Sequence, residues 1–175
     1  MRNCIYIIFA LALFTAGRTN LYAQEDDRGY IVKVGQQAPD FTVTLADGKI
    51  FTLSENRGKI IMLQFTASWC SVCRKEMPHI EKEIWLPLKA KNFVLVGIDR
   101  DEPLDVVKQF ASTMKITYPL ALDPKAGVFA LFAKKEAGVT RNVIIDKNGK
   151  IAFMTRLYDE KEFETMKAEI NRLVK

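Results

Sequence analysis

The sequence predicts an α/β domain, a mixed central sheet flanked by helices, with an N-terminal β-hairpin extension. Three observations predict it. Continuous apolar runs at 59–66 and 93–99 read as strands buried on both faces. Helical periodicity follows each run, as crossover connections between parallel strands require. Late in the chain, Asn148-Gly149 between two apolar runs marks a hairpin that adds antiparallel strands. A hydrophobic share of 49% over 175 residues suits a single core, and no internal repeat or low-complexity tract divides it.

In order, residues 1–23 read as a signal peptide: a basic start, an apolar run from Ile5 to Phe14, and a cut after Ala23. That run is too short to span a bilayer, which takes about 20 apolar residues. An uncleaved anchor is the alternative. Residues 24–33 form a polar leader, and 34–175 the domain. "FTVTLADGKIFTL" reads as a hairpin around "ADGK". After the strand at 59–66, Met77, Ile80, Ile84 and Leu88 recur at helical spacing, with Pro78 expected to kink that helix. The strand at 93–99 precedes a second helix whose face is marked by Val106, Phe110 and Met114. "YPLALD", a short helix near 128–133, the "KNGK" hairpin and a last helix with Phe163, Met166, Ile170 and Leu173 on one face complete the chain.

Losing residues 1–23 removes Arg2, Arg18 and Cys4 but no acid, so the charge falls by two, from +5 to +3. Basic and acidic residues are interspersed, with no basic stripe carrying aromatics, which argues against a nucleic-acid partner. Cys70 and Cys73 are then the only cysteines, and an exported pair can form a disulfide.

Cys70 follows a strand directly and opens a helix, where unpaired N–H groups and the helix dipole stabilise a thiolate. It is the candidate nucleophile. Cys73, three residues on, shares its helical face and is suited to resolve a mixed disulfide by attacking Cys70. Trp69 offers either an apolar contact surface for a substrate or a packing aromatic. Other readings stay open. A structural zinc site needs four ligands in most cases, and the exported chain supplies two cysteines and His79. Two inert buried thiols are a further reading. His79 as a general base would sit about 13 Å from Cys70 along a helix, too far to reach comfortably.

The stretches "APDFTVTLADGKIFTLSENRGKIIMLQFTASWCSVCRKEMP", "VLVGID" and "GVTRNVIIDKNGKI" resemble the thioredoxin superfamily, and within it the secreted TlpA-like thiol-disulfide oxidoreductases related to the AhpC/TSA redoxins. The resemblance runs from about Val34 to Lys175. It implies a thioredoxin-like fold and an enzyme without a bound cofactor. Its substrates would be protein disulfides or dithiols, its electron donor a membrane thiol reductant, and its location the periplasm or beyond. Reduction of clients in cytochrome c maturation is the role it implies.

The sequence departs from that family in three places. Ser71-Val72 between the cysteines leaves the direction of electron flow open. Gln64 replaces a buried Asp that assists proton transfer, so a water or another acid must serve; Glu76 is a candidate, though a solvated helix carboxylate is the commoner explanation for such a residue. Thr140 stands where a cis-proline is usual, and because a cis bond before a non-proline costs about 2.5–4 kcal/mol, a trans peptide or a rearranged loop is expected. Val139 and Thr140 are expected to line the substrate groove. Arg141 is the nearest cation and a candidate to steady a thiolate, though a surface position is the commoner fate of such a residue. Two alternatives are a peroxiredoxin-like thiol peroxidase, for which the activating proline pattern is missing, and a non-catalytic metal or apo-protein chaperone.

Overall fold

The computed structural model describes residues 28–175; the expected signal peptide and the first residues of the leader lie outside them. The hairpin is a separate two-stranded sheet, β1 (Thr42–Thr44) against β2 (Ile50–Thr52), followed by a 3-10 turn. The main sheet has the order β5-β4-β3-β6-β7. Its strands are β3 (Ile60–Thr66), β4 (Phe93–Arg100), β5 (Leu120–Asp123), β6 (Arg141–Ile145) and β7 (Ile151–Arg156). β3, β4 and β5 run parallel, while β6 and β7 are antiparallel to their neighbours, so the sheet is mixed.

β3 lies at the centre and every residue in it is buried, which is why it reads as an unbroken apolar run. Its two faces have different company. Phe65 points to one side, where it meets Phe129 and Phe132 of α4 (Phe129–Phe132) with ring centroids 5.4 Å apart in both cases. Gln64 and Thr66 point to the other, toward α1 (Ser71–Ile80). Strand alternation thus assigns one face to aromatic packing and the other to the chemistry.

Pro78 does not end the helix. α1 passes into a π-helical turn, Glu81–Trp85, and then α2 (Leu86–Leu88). The distortion falls in the turn after the proline, where the backbone N–H of Glu81 is shared between the carbonyls of Met77 and Pro78. In α3 (Leu104–Met114) the buried face is Val107 and Phe110, with Met114 packed beside them. Val106, expected on that face, is only half-buried, because the stripe starts one position later. α5 (Glu160–Val174) is capped by Asp159, whose carboxylate accepts from Glu162 N–H at 2.9 Å, and it buries Phe163, Met166 and Ile170.

Residues from Arg28 onward are tied to the sheet. Ile31 N–H donates to the Phe132 carbonyl, Val32 is buried, and Tyr30 Oη donates to the Thr155 carbonyl oxygen at 2.5 Å.

Candidate active site

Cys70 is the N-cap of α1, and its Sγ accepts a hydrogen bond from Cys73 N–H at 3.0 Å. The two cysteines are joined as a disulfide with Cα atoms 5.2 Å apart, inside the usual span for such a bond. Once the bond is reduced, the same N–H and the helix dipole stabilise a thiolate at Cys70. Cys73 sits on the inner face of α1 and is fully buried. Trp69 is 62% exposed beside the pair, a large apolar surface left to solvent.

The Val139 carbonyl oxygen lies 3.5 Å from Cys70 Sγ, so this loop forms the wall opposite the reactive sulfur. Two expectations about it need correction. The Val139–Thr140 peptide is cis, not trans. The surroundings hold Thr140 from both ends: its Oγ1 donates to Glu76 Oε2 at 2.6 Å and its carbonyl accepts from Leu157 N–H. Nor does the Thr140 side chain line a groove. It is fully buried and turned inward, leaving Val139 to face the cysteines.

Glu76 is not solvated either. It follows Cys73 by one helical turn on the same buried face, at 1% exposure. Three donors converge on its carboxylate: Thr140 Oγ1, Asn142 Nδ2 at 2.7 Å and Gln64 Nε2 at 3.3 Å. Burial pushes its pKa up to about 7 against the pull of these hydrogen bonds. Such a carboxyl can take or release a proton at neutral pH.

A row of residues in register across the sheet supports Glu76. Gly97, Gln64, Asn142 and Thr155 pair in turn across β4, β3, β6 and β7. Gln64 accepts from Tyr118 Oη at 2.8 Å, which aims its amide N–H toward Glu76. Asn142 Nδ2 donates to both Glu76 and Thr155 Oγ1. Gly97 makes room, since a Cβ there would come within 2.4 Å of Leu120 and 3.3 Å of Tyr118. Gln64 therefore positions an acid instead of being one. Asn142, Thr155 and Tyr118 were not among the sequence candidates, yet a signal was present: Gln64, Asn142 and Thr155 are polar residues in the interior of strands whose other interior positions are apolar.

A second buried acid, Asp99, lies at the end of β4 beside Thr66 in register. Both of its oxygens are buried without a hydrogen-bond partner, and burial, with Glu102 nearby, pushes its pKa up to about 8. Glu102 in turn accepts from Ser68 N–H and Ser68 Oγ, two residues before Cys70.

Arg141 is not a surface residue: it is 1% exposed, with its guanidinium 4.6 Å from the Tyr30 ring centroid and Nε donating to the Gly138 carbonyl. β6 begins at Arg141, so its side chain is folded under residues 28–30 instead of projecting outward. His79 lies away from the cysteines, paired with Glu83 at 2.9 Å and stacked on Tyr158. Among the described residues no group of three or more His, Cys, Asp or Glu is placed to hold a metal ion.

The AhpC/TSA family profile matches residues 34–154, more than half of the chain. The chain belongs to the AhpC/TSA family. It is 30% identical over 172 residues to the thiol-disulfide oxidoreductase ResA of Geobacillus kaustophilus, covering 95% of each chain. The ResA of Bacillus cereus is 30% identical over 145 residues, covering 83% of this chain and 82% of that one. Among solved structures, a candidate protein disulfide isomerase from Bacteroides thetaiotaomicron is 60% identical with a TM-score of 0.81, over 83% of this chain and 92% of that one. A candidate thiol:disulfide interchange protein DsbE from Chlorobium tepidum is 26% identical with a TM-score of 0.73, over 82% and 99%. The fold is thioredoxin-like, and the protein is a thiol-disulfide oxidoreductase.

Proposed function

We propose that the protein reduces disulfides in other proteins, with Cys70 as nucleophile, Cys73 as resolving thiol and Glu76 as the group that takes the Cys73 proton. The observation that carries this reading is a buried carboxyl with a pKa of about 7 one helical turn beyond a buried cysteine whose partner caps the same helix. The Cys70 thiolate attacks one sulfur of a client disulfide. The client S–S bond breaks, its other sulfur leaves with the electron pair and takes a proton, and Cys70 holds the client as a mixed disulfide. Cys73 then gives its proton to Glu76 and attacks Cys70 Sγ. The client leaves as a second thiolate, and the Cys70–Cys73 disulfide remains, oxidised by two electrons.

Returning it to the dithiol form requires an external reductant, and a membrane thiol protein is the donor proposed. Export through residues 1–23 would place the enzyme in the periplasm or outside the cell, where clients of cytochrome c maturation are exposed. The named relatives support the oxidoreductase class, and the resemblance to TlpA-like proteins supports the reductive direction. Trp69 and Val139 would contact the client.

Equilibration with glutathione and dithiothreitol tests the direction: a potential near −270 mV is expected, and one near −120 mV would make the protein a disulfide donor instead. Cys73→Ser should accumulate a mixed disulfide at Cys70, while Cys70→Ser should trap nothing. Consumption of peroxide by Cys70 with no disulfide exchange would favour peroxidase chemistry and overturn the reading.

A further inference from the structure

Arg100 and Glu102, two residues apart where β4 ends, hold opposite walls of the cleft around Cys70. The Arg100 guanidinium donates from Nη1 to the Ala137 carbonyl at 3.0 Å and from Nη2 to the Lys135 carbonyl at 3.3 Å, and it lies 4.3 Å from the Phe129 ring centroid. Its side chain is only 12% exposed. Ala137 stands two residues before Val139, whose carbonyl oxygen lies 3.5 Å from Cys70 Sγ. Glu102 reaches the other wall, accepting from Ser68 N–H and Ser68 Oγ at 2.5 Å each. Ser68 precedes the exposed Trp69 and then Cys70, and its carbonyl accepts in turn from Arg74 Nε at 2.7 Å. In a regular strand, residues two apart share one face. Asp101 breaks that rule: its φ is 64°, in the left-handed region that residues other than glycine rarely enter. Its N–H donates to the Asp123 carbonyl at 3.0 Å and its carboxylate accepts from Arg100 Nε at 2.9 Å.

The exchange steps use Cys70, Cys73 and Glu76, and none of these three side chains takes part in them. Arg100 and Glu102 nevertheless tie both walls of the cleft to one short segment, through charge-assisted hydrogen bonds, which are the stronger kind. We propose that Arg100 and Glu102 are positioning residues: joined through Asp101, they form a clasp that holds the Val139 wall and the Trp69–Cys70 wall at one separation, and so set which disulfides exchange at Cys70. This rests on the oxidoreductase reading, and it adds a selection rule: polypeptide clients are favoured over small disulfides. A polypeptide joined to Cys70 touches both walls at once, so a gap already set spares it the cost of ordering two loops on binding. A small disulfide meets only the Cys70 sulfur and gains nothing from the clasp.

The test compares two substrates reduced by the full chain, a disulfide-bonded peptide and hydroxyethyl disulfide. In Arg100→Gln and in Glu102→Gln, the ratio of kcat/KM for the peptide to that for the small disulfide is expected to fall about tenfold, the size of one charge-assisted hydrogen bond. The loss should fall on KM for the peptide. Asp101→Asn, which tolerates the left-handed backbone and keeps an acceptor for Arg100, should hold the ratio. Asp101→Val, whose branched side chain is disfavoured there, should lower it. The two Asp101 variants test the clasp with Arg100 and Glu102 intact. A ratio unchanged in either Arg100→Gln or Glu102→Gln would overturn the clasp while leaving the oxidoreductase reading intact. So would equal losses on both substrates, the mark of a loosened fold alone. Failure of the unaltered protein to reduce either substrate would count against the oxidoreductase reading itself.

Discussion

Glu76 and Asp99 are both carboxyls buried in the same domain, and they are furnished in opposite ways. Glu76 receives three hydrogen bonds from side chains on β3, on β6 and in the loop before β6. Asp99 receives none, and the acids Glu102 and Asp101 raise its pKa further. Burial pushes both pKa values up, but donors hold Glu76 near 7 while Asp99 rises to about 8. At Asp99 burial and neighbouring acids act in the same direction with no donor against them, whereas at Glu76 three donors work against burial.

The largest expected effect is on exchange itself. Glu76→Gln should slow client reduction by about a hundredfold and abolish the break in the pH–rate profile near pH 7, because an amide cannot accept the Cys73 proton. Asp99→Asn should keep that break, and a loss of the break in Asp99→Asn would dissolve the contrast between the two acids. On stability the order reverses. Asp99→Asn should stabilise the protein by about 1–3 kcal/mol at pH 8, measured by urea unfolding, since the native state no longer holds a buried carboxylate without donors.

Stability should also fall as pH rises. Both acids hold their proton more tightly in the folded state than at their ordinary values of 4.5 and 3.8. Between about pH 4 and pH 8 the native chain therefore binds more protons than the unfolded one, and the slope is negative, up to about 1.4 kcal/mol per pH unit for each group. Asp99→Asn should remove one proton's worth of that slope. A smaller effect is expected from Tyr118→Phe, which frees Gln64 from its Oη partner; the Glu76 midpoint should move upward by a fraction of a unit, read from the same pH–rate profile. Smallest of all, Lys167→Ala breaks ion pairs with Glu83 and Glu164 and should cost under about 1 kcal/mol.

Much of this was legible in the sequence. The alternation of apolar runs with helical stripes pointed to a mixed sheet flanked by helices, and a cysteine at a strand-to-helix junction pointed to the N-cap position that Cys70 occupies. The interior around Glu76 was harder to read, for a physical reason. Whether a carboxylate at a helix position is solvated depends on what the sheet beneath presents, and that depends on strand register. Gln64, Asn142 and Thr155 come from three strands and meet only once β3, β6 and β7 are aligned. The cis peptide at Thr140 escaped for a related reason: the preference of an isolated peptide bond takes no account of a buried hydroxyl bonded to Glu76. Arg141 was read as exposed because nothing in the local pattern brings Tyr30, over a hundred residues earlier, across its guanidinium.

The Cys70–Cys73 bond closes a ring with a sequence separation of only 3. By the chain-entropy relation so short a ring restricts the unfolded chain by only about 2 kcal/mol, against about 4.7 kcal/mol for a loop of 100 residues. The bond is therefore a poor staple. The buried sheet and the helices packed on its two faces are built from residues other than the two sulfurs. Opening the bond therefore removes little of what restrains the chain, a useful property in a bond that is made and broken at every turnover.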